Sequence, residues 1–136
     1  MRTFILLAFF LALLGCGAPT ADSVIEPVDI QEPVTYANVS AETVANRSDT
    51  STLINVHIPY NGELPETDTF TPYNTILDSN ELPTDLDAEI ILYCESGGMS
   101  RAAAQTLIDA GYTNVKNLQG GMRAWERAGF ERLFNQ

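Results

Sequence analysis

Apolar and polar positions along the chain form blocks that predict strands followed by helices. Residues 89–94 are almost continuously apolar, which is typical of a strand buried on both faces. Residues 100–110 predict a helix that ends at Gly111, with a buried stripe of Ala103, Ala104, Leu107 and Ile108. Strands that alternate with helices indicate an α/β domain with a parallel sheet, which binds ligands beyond the carboxyl ends of its strands.

Shorter elements complete the prediction. Residues 40–47 predict a short helix with Ser40 as its N-cap, and residues 121–128 predict a helix that ends at Gly129. Short β-branched or apolar runs predict strands over residues 53–58 and 115–118 and a brief strand over residues 75–77. Residues 60–74 are rich in Pro, Gly, Thr and acidic side chains, so we expect a long loop there.

The first sixteen residues have the pattern of an export signal. Arg2 precedes an apolar run over residues 4–14, which is shorter than the roughly 20 residues that span a bilayer. Residues 13–16, Leu-Leu-Gly-Cys, resemble the bacterial lipobox, and this resemblance implies cleavage after Gly15 and a lipid on Cys16. The alternative is a plain signal peptide that is cut elsewhere and leaves Cys16 as an ordinary residue.

We therefore divide the chain into a signal peptide over residues 1–15, a lipidated Cys16 with a flexible tether over residues 16–34, and a folded domain over residues 35–136. Three prolines and scattered acids in the second segment favour an extended tether. The arrangement predicts an extracytoplasmic protein that is lipid-anchored to a bacterial membrane. Cys94 is then the one free thiol, and an unpaired thiol in an oxidising compartment is a candidate reactive site.

Charge and composition argue against two classes of protein. The chain has 7 basic and 18 acidic side chains, for a formal net charge of −11, so it lacks the basic surface that nucleic acid requires. Five of the seven basic residues follow position 100, which predicts an acidic body with a less acidic C-terminal region. Two cysteines and one histidine are too few for the usual four-ligand zinc site, and we expect no metal.

Cys94 ends the predicted buried strand and begins a turn that leads into the predicted helix. Gly97 and Gly98 let the backbone fold tightly with its N–H groups directed inward, and the helix adds the positive end of its dipole. Such a cradle stabilises a thiolate, the nucleophilic form of cysteine. From the residues alone, Cys94 is either reactive or a buried structural cysteine.

Two stretches carry a resemblance to a known family. Residues 90–107 run from the buried strand through Cys94 into the helix, and residues 111–125 place Gly-Tyr, Gly-Gly and Ala-Trp pairs at matching spacing. With these motifs the chain resembles the rhodanese-like domains, the sulfurtransferase family. Residues 53–59 resemble the family's earlier strand more loosely, with Asn55 and His57 in place of its charged residues.

The resemblance implies a three-layer domain, with a small central parallel sheet flanked by helices, and a sulfurtransferase or sulfur carrier. Cys94 would take a sulfur atom from a donor such as thiosulfate, hold it as a persulfide and pass it to a thiol acceptor. The resemblance implies these two partners and no metal or organic cofactor. The residues expected to bind the substrate form the rest of the loop: Glu95, Ser96, Gly97, Gly98, Met99, Ser100 and Arg101.

The loop departs from the family's pattern in its charges. Many active members carry Arg just after the Cys or later in the loop, where this chain has Glu95, Gly98 and Met99. An acid beside a thiolate opposes its ionisation, so we expect a Cys94 pKa that is less depressed than in arginine-lined sites. A donor with less negative charge than thiosulfate would suit such a loop. Arg101, the one cation nearby in sequence, either turns toward the site or lies on the outer face of the helix.

Residues outside the loop have weaker functional signals. His57 either assists proton transfer from the end of a neighbouring strand or is a satisfied histidine that fixes the following loop. Glu63, Glu66 and Asp68 lack the spacing of a calcium loop, so we expect them in a solvated loop. Tyr112 and Trp125 are expected in the core.

Three classes of function follow from these features. The first is the sulfurtransferase or sulfur carrier. The second is a non-catalytic rhodanese-fold module that binds a protein partner or a sulfur species, which Glu95 and the absent loop arginines favour. The third is a phosphatase or arsenate reductase, which needs Arg six positions after the Cys, whereas Arg101 comes one place late. Persulfide formation on Cys94 distinguishes the first two.

Overall fold

The computed structural model describes residues 35–134, and they form a five-stranded sheet with helices on both faces. The predicted signal peptide, Cys16 and the tether lie outside the described residues. All strand pairs of the sheet are parallel, in the order β1-β5-β4-β2-β3. The strands are β1 (Ala37–Val39), β2 (Thr52–Asn55), β3 (Thr69–Phe70), β4 (Ile90–Tyr93) and β5 (Val115–Leu118).

The most apolar strand, β4, lies in the middle of the sheet. Its four side chains are all buried, and it pairs with β2 on one side and β5 on the other. The register sets Asn55 of β2 opposite Tyr93 of β4. A central parallel strand is covered on both faces, which explains the continuous apolar run.

Two apolar layers, one on each face of the sheet, make the domain three-layered. Helix α2 (Gly98–Asp109) and a 3-10 helix (Tyr73–Asp78) cover one face, where they pack against residues such as Ile54 and Leu92. Helices α1 (Ala41–Ala45) and α3 (Gly121–Arg127) cover the other face, which presents side chains that include Leu53 and Tyr93. The predicted α/β class and its small central parallel sheet between helices are confirmed.

Several elements agree closely with the sequence pattern. Strand β5 has the predicted bounds, and α3 ends one residue earlier than predicted. Ser40 caps α1, because its hydroxyl accepts a hydrogen bond from the N–H of Thr43 at 3.3 Å. Tyr112 and Trp125 are buried as expected.

The structure corrects the prediction in five places. The predicted strand over residues 75–77 is wrong: these residues belong to the 3-10 helix, in which Ile76 is the buried side chain. The predicted loop over residues 60–74 contains β3, and the strand predicted over residues 53–58 is the shorter β2. Helix α2 begins two residues earlier than predicted. The edge strand β1 was not predicted, because its side chains are mostly exposed and leave no apolar pattern.

Candidate active site

Cys94 lies at the carboxyl end of the central strand, immediately after Tyr93. It is a free cysteine with 2% of its surface exposed. The residue belongs to the apolar layer beneath α2, and the partly buried Met99 packs against the same layer. The fold thus places one thiol at the edge of the sheet where parallel α/β domains bind ligands.

The turn after Cys94 surrounds the sulfur with hydrogen-bond donors. The N–H of Gly97 donates to Cys94 Sγ at 3.0 Å, and the buried Ser100 hydroxyl donates to it at 3.4 Å. Gly97 has a φ of +98°, a left-handed conformation that favours glycine. Because α2 begins at the next residue, its positive end lies beside the sulfur.

These donors decide the ionisation of the thiol. Burial alone would raise the pKa of Cys94, but hydrogen bonds from the Ser100 side chain and from the backbone of Ser100, Ser96 and Gly97 outweigh it. The pKa of Cys94 is therefore held below its usual value of 9.0. A thiol with a lowered pKa has a larger thiolate fraction at neutral pH than an ordinary cysteine.

The Gly120-Gly121 pair explains how the turn keeps this orientation. A Cβ on Gly121 would overlap the carbonyl oxygen of Cys94 and lie 2.7 Å from the carbonyl carbon of Glu95. The close approach lets Met122 N–H donate to the Cys94 carbonyl at 2.8 Å and Arg123 N–H donate to the Glu95 carbonyl at 3.1 Å. With these carbonyls bound to the start of α3, the following N–H groups are free to face the sulfur.

The carboxylate of Glu95, which was expected to oppose ionisation of Cys94, is bound by other side chains. It accepts hydrogen bonds from Arg132 at 2.9 and 3.3 Å, from Arg123 at 3.1 Å and from Asn61 at 3.2 Å. Burial would raise the pKa of Glu95, but the two arginines outweigh it and hold the pKa below its usual range. The negative charge next to Cys94 is therefore compensated.

The remaining predicted site residues lie in the turn and the first turn of α2. Ser96 and Gly98 are exposed, whereas Ser100 is fully buried against the sulfur. Arg101 is exposed, and its Nη1 lies 3.4 Å from where a Cβ on Gly97 would be, so the side chain turns toward the loop. Among residues 35–134, no carboxylate pairs with Arg101. One unpaired cation thus flanks the cradle.

His57 follows β2 at the same edge of the sheet as Cys94. Its backbone N–H donates to the side-chain oxygen of Asn55 at 3.1 Å. Its Nδ1 is buried and has no hydrogen-bond partner in the described part of the chain, so this atom does not behave as that of a satisfied structural histidine. Neither of the two roles considered for His57 follows from these contacts.

The acidic residues of the preceding loop serve the fold. Asp68 accepts a hydrogen bond from the N–H of Leu53 at 2.7 Å, Glu66 pairs with Arg47 at 3.5 Å, and the backbone of Glu63 forms a β-bridge with Leu133. Within residues 35–134, no three His, Cys, Asp or Glu side chains form a group that could hold a metal ion.

Sequence reasoning missed Arg132, Arg123 and Asn61, which hold the Glu95 carboxylate. A signal for them was present in the charge distribution, because basic residues are concentrated after position 100. That signal does not say which arginine meets which acid, since Arg132 lies 37 residues from Glu95 along the chain.

Residues 35–134 thus form a parallel α/β domain whose free thiol, Cys94, lies in a cradle of hydrogen-bond donors at the start of a helix. The profile of the rhodanese-like domain matches residues 19–128. The chain belongs to the rhodanese-like family, as the sequence motifs predicted.

Individual relatives agree with this assignment. A protein named sulfurtransferase from Allochromatium vinosum is 44% identical over 50 residues, which are 37% of this chain and 45% of that protein. The chain spans less than half the length of the curated relatives that it matches.

Solved structures share the fold at low sequence identity. A rhodanese-related protein from Thermoplasma volcanium superposes with a TM-score of 0.62 and 18% identity, covering 74% of this chain and 100% of that one. A protein from Rhodopseudomonas palustris, described as a possible tyrosine phosphatase of unknown function, gives a TM-score of 0.60 and 18% identity, covering 71% of this chain and 84% of that one. These likenesses support the fold.

Proposed function

We propose that the protein is a sulfurtransferase or sulfur carrier that forms a persulfide on Cys94 and passes the sulfur to a thiol acceptor. The observation that carries the proposal is the cradle: Cys94 Sγ accepts hydrogen bonds from Gly97 N–H and Ser100 Oγ at the start of a helix. The same donors that stabilise a thiolate suit a terminal persulfide anion, which also carries one negative charge on sulfur.

The first step is sulfur uptake. The Cys94 thiolate attacks the outer sulfur of the donor, a new S–S bond forms, and the bond between that sulfur and the rest of the donor breaks. With thiosulfate the leaving group is sulfite, which departs with the electron pair of the broken bond; with a small persulfide it is a thiolate. The N–H groups of Ser96, Gly97 and Ser100 then face the new anion.

The second step is delivery. An acceptor thiolate attacks the outer sulfur of the Cys94 persulfide, and the Cys94 thiolate leaves with the electron pair of the S–S bond. The cycle needs no external oxidant or reductant, because the S–S bond that forms on the acceptor replaces the one that breaks in the donor. It therefore needs no electron carrier.

The charges around the loop favour a donor of low charge. Arg101 is the one loop residue with a positive side chain, since positions 95–100 hold no Lys or Arg. A doubly charged anion such as thiosulfate would be bound by one exposed arginine in a protein of formal charge −11. We propose a monoanionic or uncharged persulfide as the better substrate, with Glu95, Ser96, Gly97, Gly98, Met99, Ser100 and Arg101 lining its path.

We further propose that this chemistry takes place outside the cytoplasm, on a protein anchored through a lipid on Cys16. Within residues 35–134, no helix is long and apolar enough to cross a membrane. The support for the anchor is the Leu-Leu-Gly-Cys pattern at residues 13–16 after an apolar run.

A non-catalytic binding module is the second candidate. The observation in its favour is that residues 95–100 contain an acid and no cation, which is unlike the arginine-lined loops of many active members. Such a module would bind a sulfur species or a protein partner at the Cys94 loop without turnover.

Steady-state sulfur transfer separates the two candidates. The full chain with Cys16→Ser, purified in mild detergent, is assayed with thiosulfate and with glutathione persulfide as donors and a small thiol as acceptor. We expect turnover with both donors and a higher kcat/KM with the persulfide, and no turnover for the matched variant that also carries Cys94→Ser.

Binding of a donor without turnover would support the binding module. Hydrolysis of a phosphate ester that depends on Cys94, without sulfur transfer, would instead favour the phosphatase class.

A further inference from the structure

The C-terminal segment over residues 130–134 reaches the Cys94 loop from outside the α/β core. Leu133 forms an antiparallel bridge with Glu63 through two hydrogen bonds of 2.8 Å. Trp125 anchors the segment, because its indole N–H donates to the Glu131 carbonyl at 2.8 Å and its ring stacks on Phe130. A Cβ on Gly62, in the loop that follows β2, would lie 2.8 Å from Arg132 Cδ. The absence of a side chain at Gly62 therefore leaves room for Arg132.

Arg132 is the residue of this segment that meets the active-site loop. Its side chain is 6% exposed, yet it carries a full charge. It binds Glu95 through both terminal nitrogens, Glu126 at 2.8 Å and the Asn61 carbonyl at 3.1 Å. Its Nε is buried without a hydrogen-bond partner in the described part of the chain. Burying a cation this deeply is costly unless nearby carboxylates compensate it, so the position of Arg132 depends on Glu95 and Glu126.

Glu95 connects Arg132 to the thiol, because it is the residue directly after Cys94. The start of α3 fixes its backbone carbonyl, and Arg132 and Arg123 fix its carboxylate. The elements around this loop carry the following charged and titratable side chains: His57, Tyr60, Glu63, Tyr73, Asp78, Glu95, Arg101, Asp109, Arg123, Glu126, Arg127, Glu131 and Arg132. If Arg132 alone is removed, the base of the loop keeps two negative side chains, Glu95 and Glu126, and one positive side chain that binds Glu95, Arg123.

We propose that Arg132 is a positioning residue for Cys94: it holds the Glu95 carboxylate in an ion pair that fixes the start of the loop and cancels the negative charge next to the sulfur. The inference rests on the proposed function in taking Cys94 as the reacting thiol. It assigns a role in sulfur chemistry to a residue 38 positions away in sequence (132 − 94), on a segment outside the sheet and helices.

The test is the pH dependence of Cys94 alkylation by iodoacetamide, in the full chain with Cys16→Ser so that Cys94 is the one thiol. Arg132→Gln leaves the negative charge of Glu95 uncompensated by Arg132. We therefore expect the midpoint of the curve of alkylation rate against pH to move to higher pH. The alkylation rate at neutral pH should fall at least about threefold, which corresponds to about half a pKa unit. Glu95→Gln leaves Arg132 and Arg123 in excess, so we expect its midpoint to move to lower pH. The double variant should return toward the parent.

The opposite directions distinguish charge compensation from loss of structure. A purely structural role would weaken the hydrogen bonds to the sulfur in both variants and raise both midpoints. Arg47→Gln is the matched control, because Arg47 is also a nearly buried arginine, 10% exposed, that pairs with a glutamate, Glu66. Arg47 precedes β2, whereas Cys94 follows the carboxyl end of β4. The alkylation midpoint of this control should equal that of the parent. If Arg132→Gln does not fold, Glu95→Gln and the double variant still carry the test.

Two results would overturn the inference: midpoints that move in the same direction, or an Arg132→Gln profile equal to that of Arg47→Gln. Alkylation needs no sulfur donor, so it reports on Arg132 even if Cys94 never forms a persulfide. Absence of sulfur transfer from a parent protein with the expected midpoints would contradict the proposed function and leave the role of Arg132 standing.

Discussion

At the scale of single residues, the reactivity proposed for Cys94 depends on a few donors placed within hydrogen-bond distance of its sulfur. Burial raises the cost of a thiolate, and the donors from Ser100, Ser96 and Gly97 more than offset it. Ser100 is the one side chain among these donors, and it is fully buried.

Ser100→Ala should raise the pKa of Cys94, because a hydrogen bond that stabilises the thiolate is lost at a buried site. Since a raised thiol pKa leaves less thiolate at neutral pH, alkylation there should slow roughly tenfold. The measurement is the alkylation rate against pH in the Cys16→Ser chain. Ser96→Ala is the control, since Ser96 contributes its backbone N–H and its side chain is exposed. Equal midpoints for the two variants would count against the role of the Ser100 hydroxyl.

At the scale of elements, the active-site turn is held between two helices. Helix α2 begins at the turn and directs N–H groups to the sulfur, while the start of α3 binds the two carbonyls on the other side. Gly121 has a φ of +59° and makes the second contact possible, because any side chain there would meet the backbone of Cys94 and Glu95. Gly121 of the sequence motif is therefore a packing requirement of the Cys94 loop.

Gly121→Ala should destabilise the protein more than a left-handed glycine substitution elsewhere. Gly129 is the matched position, with a φ of +90° and no atom within 4 Å of the place that an alanine methyl group would occupy. Gly129→Ala should lower the free energy of unfolding by about 1–2 kcal/mol from backbone strain, and Gly121→Ala by at least about twice that amount. Urea denaturation measures both, and equal losses would show that the contact with the Cys94 loop is not critical.

The elements differ in how far the sequence predicts them, for physical reasons. Strands β4 and β5 are almost wholly buried and helix α2 buries one face, so burial leaves a pattern of apolar residues that can be recognised. The 3-10 helix buries one apolar side chain, Ile76, and a run of three apolar or β-branched residues does not distinguish it from a strand. The Cys94 loop was predicted from local motifs, whereas the ion pair of Glu95 with Arg132 joins distant segments that no local pattern connects.

At the scale of the whole molecule, three of the five basic residues that follow position 100 lie around the Cys94 loop. Of the five basic residues that follow position 100, Arg123 and Arg132 compensate Glu95, and Arg101 lies beside the loop. Lys116 pairs with Glu89, which also accepts a hydrogen bond from Ser51. The remaining acidic side chains keep the net charge of the domain strongly negative. This charge repels sulfur donors with two negative charges, such as thiosulfate, at long range.

The predicted lipid anchor can be tested by expression in a bacterium that lipidates proteins. Cys16→Ser should abolish incorporation of labelled fatty acid, because the thiol that accepts the lipid is gone. Cys94→Ser is the control and should leave labelling unchanged, since the two cysteines have separate roles. Labelling that survives Cys16→Ser would contradict the lipobox interpretation and favour a plain signal peptide.

The central claim is that Cys94 accepts a sulfane sulfur, and intact mass spectrometry tests it most directly. The Cys16→Ser chain is reduced, exposed briefly to thiosulfate or glutathione persulfide, and weighed before and after addition of cyanide, with the Cys94→Ser variant in parallel. We expect a gain of one sulfur atom that cyanide removes and that is absent from the Cys94→Ser variant. A folded, reduced protein that gains no sulfur from either donor would contradict the sulfurtransferase account.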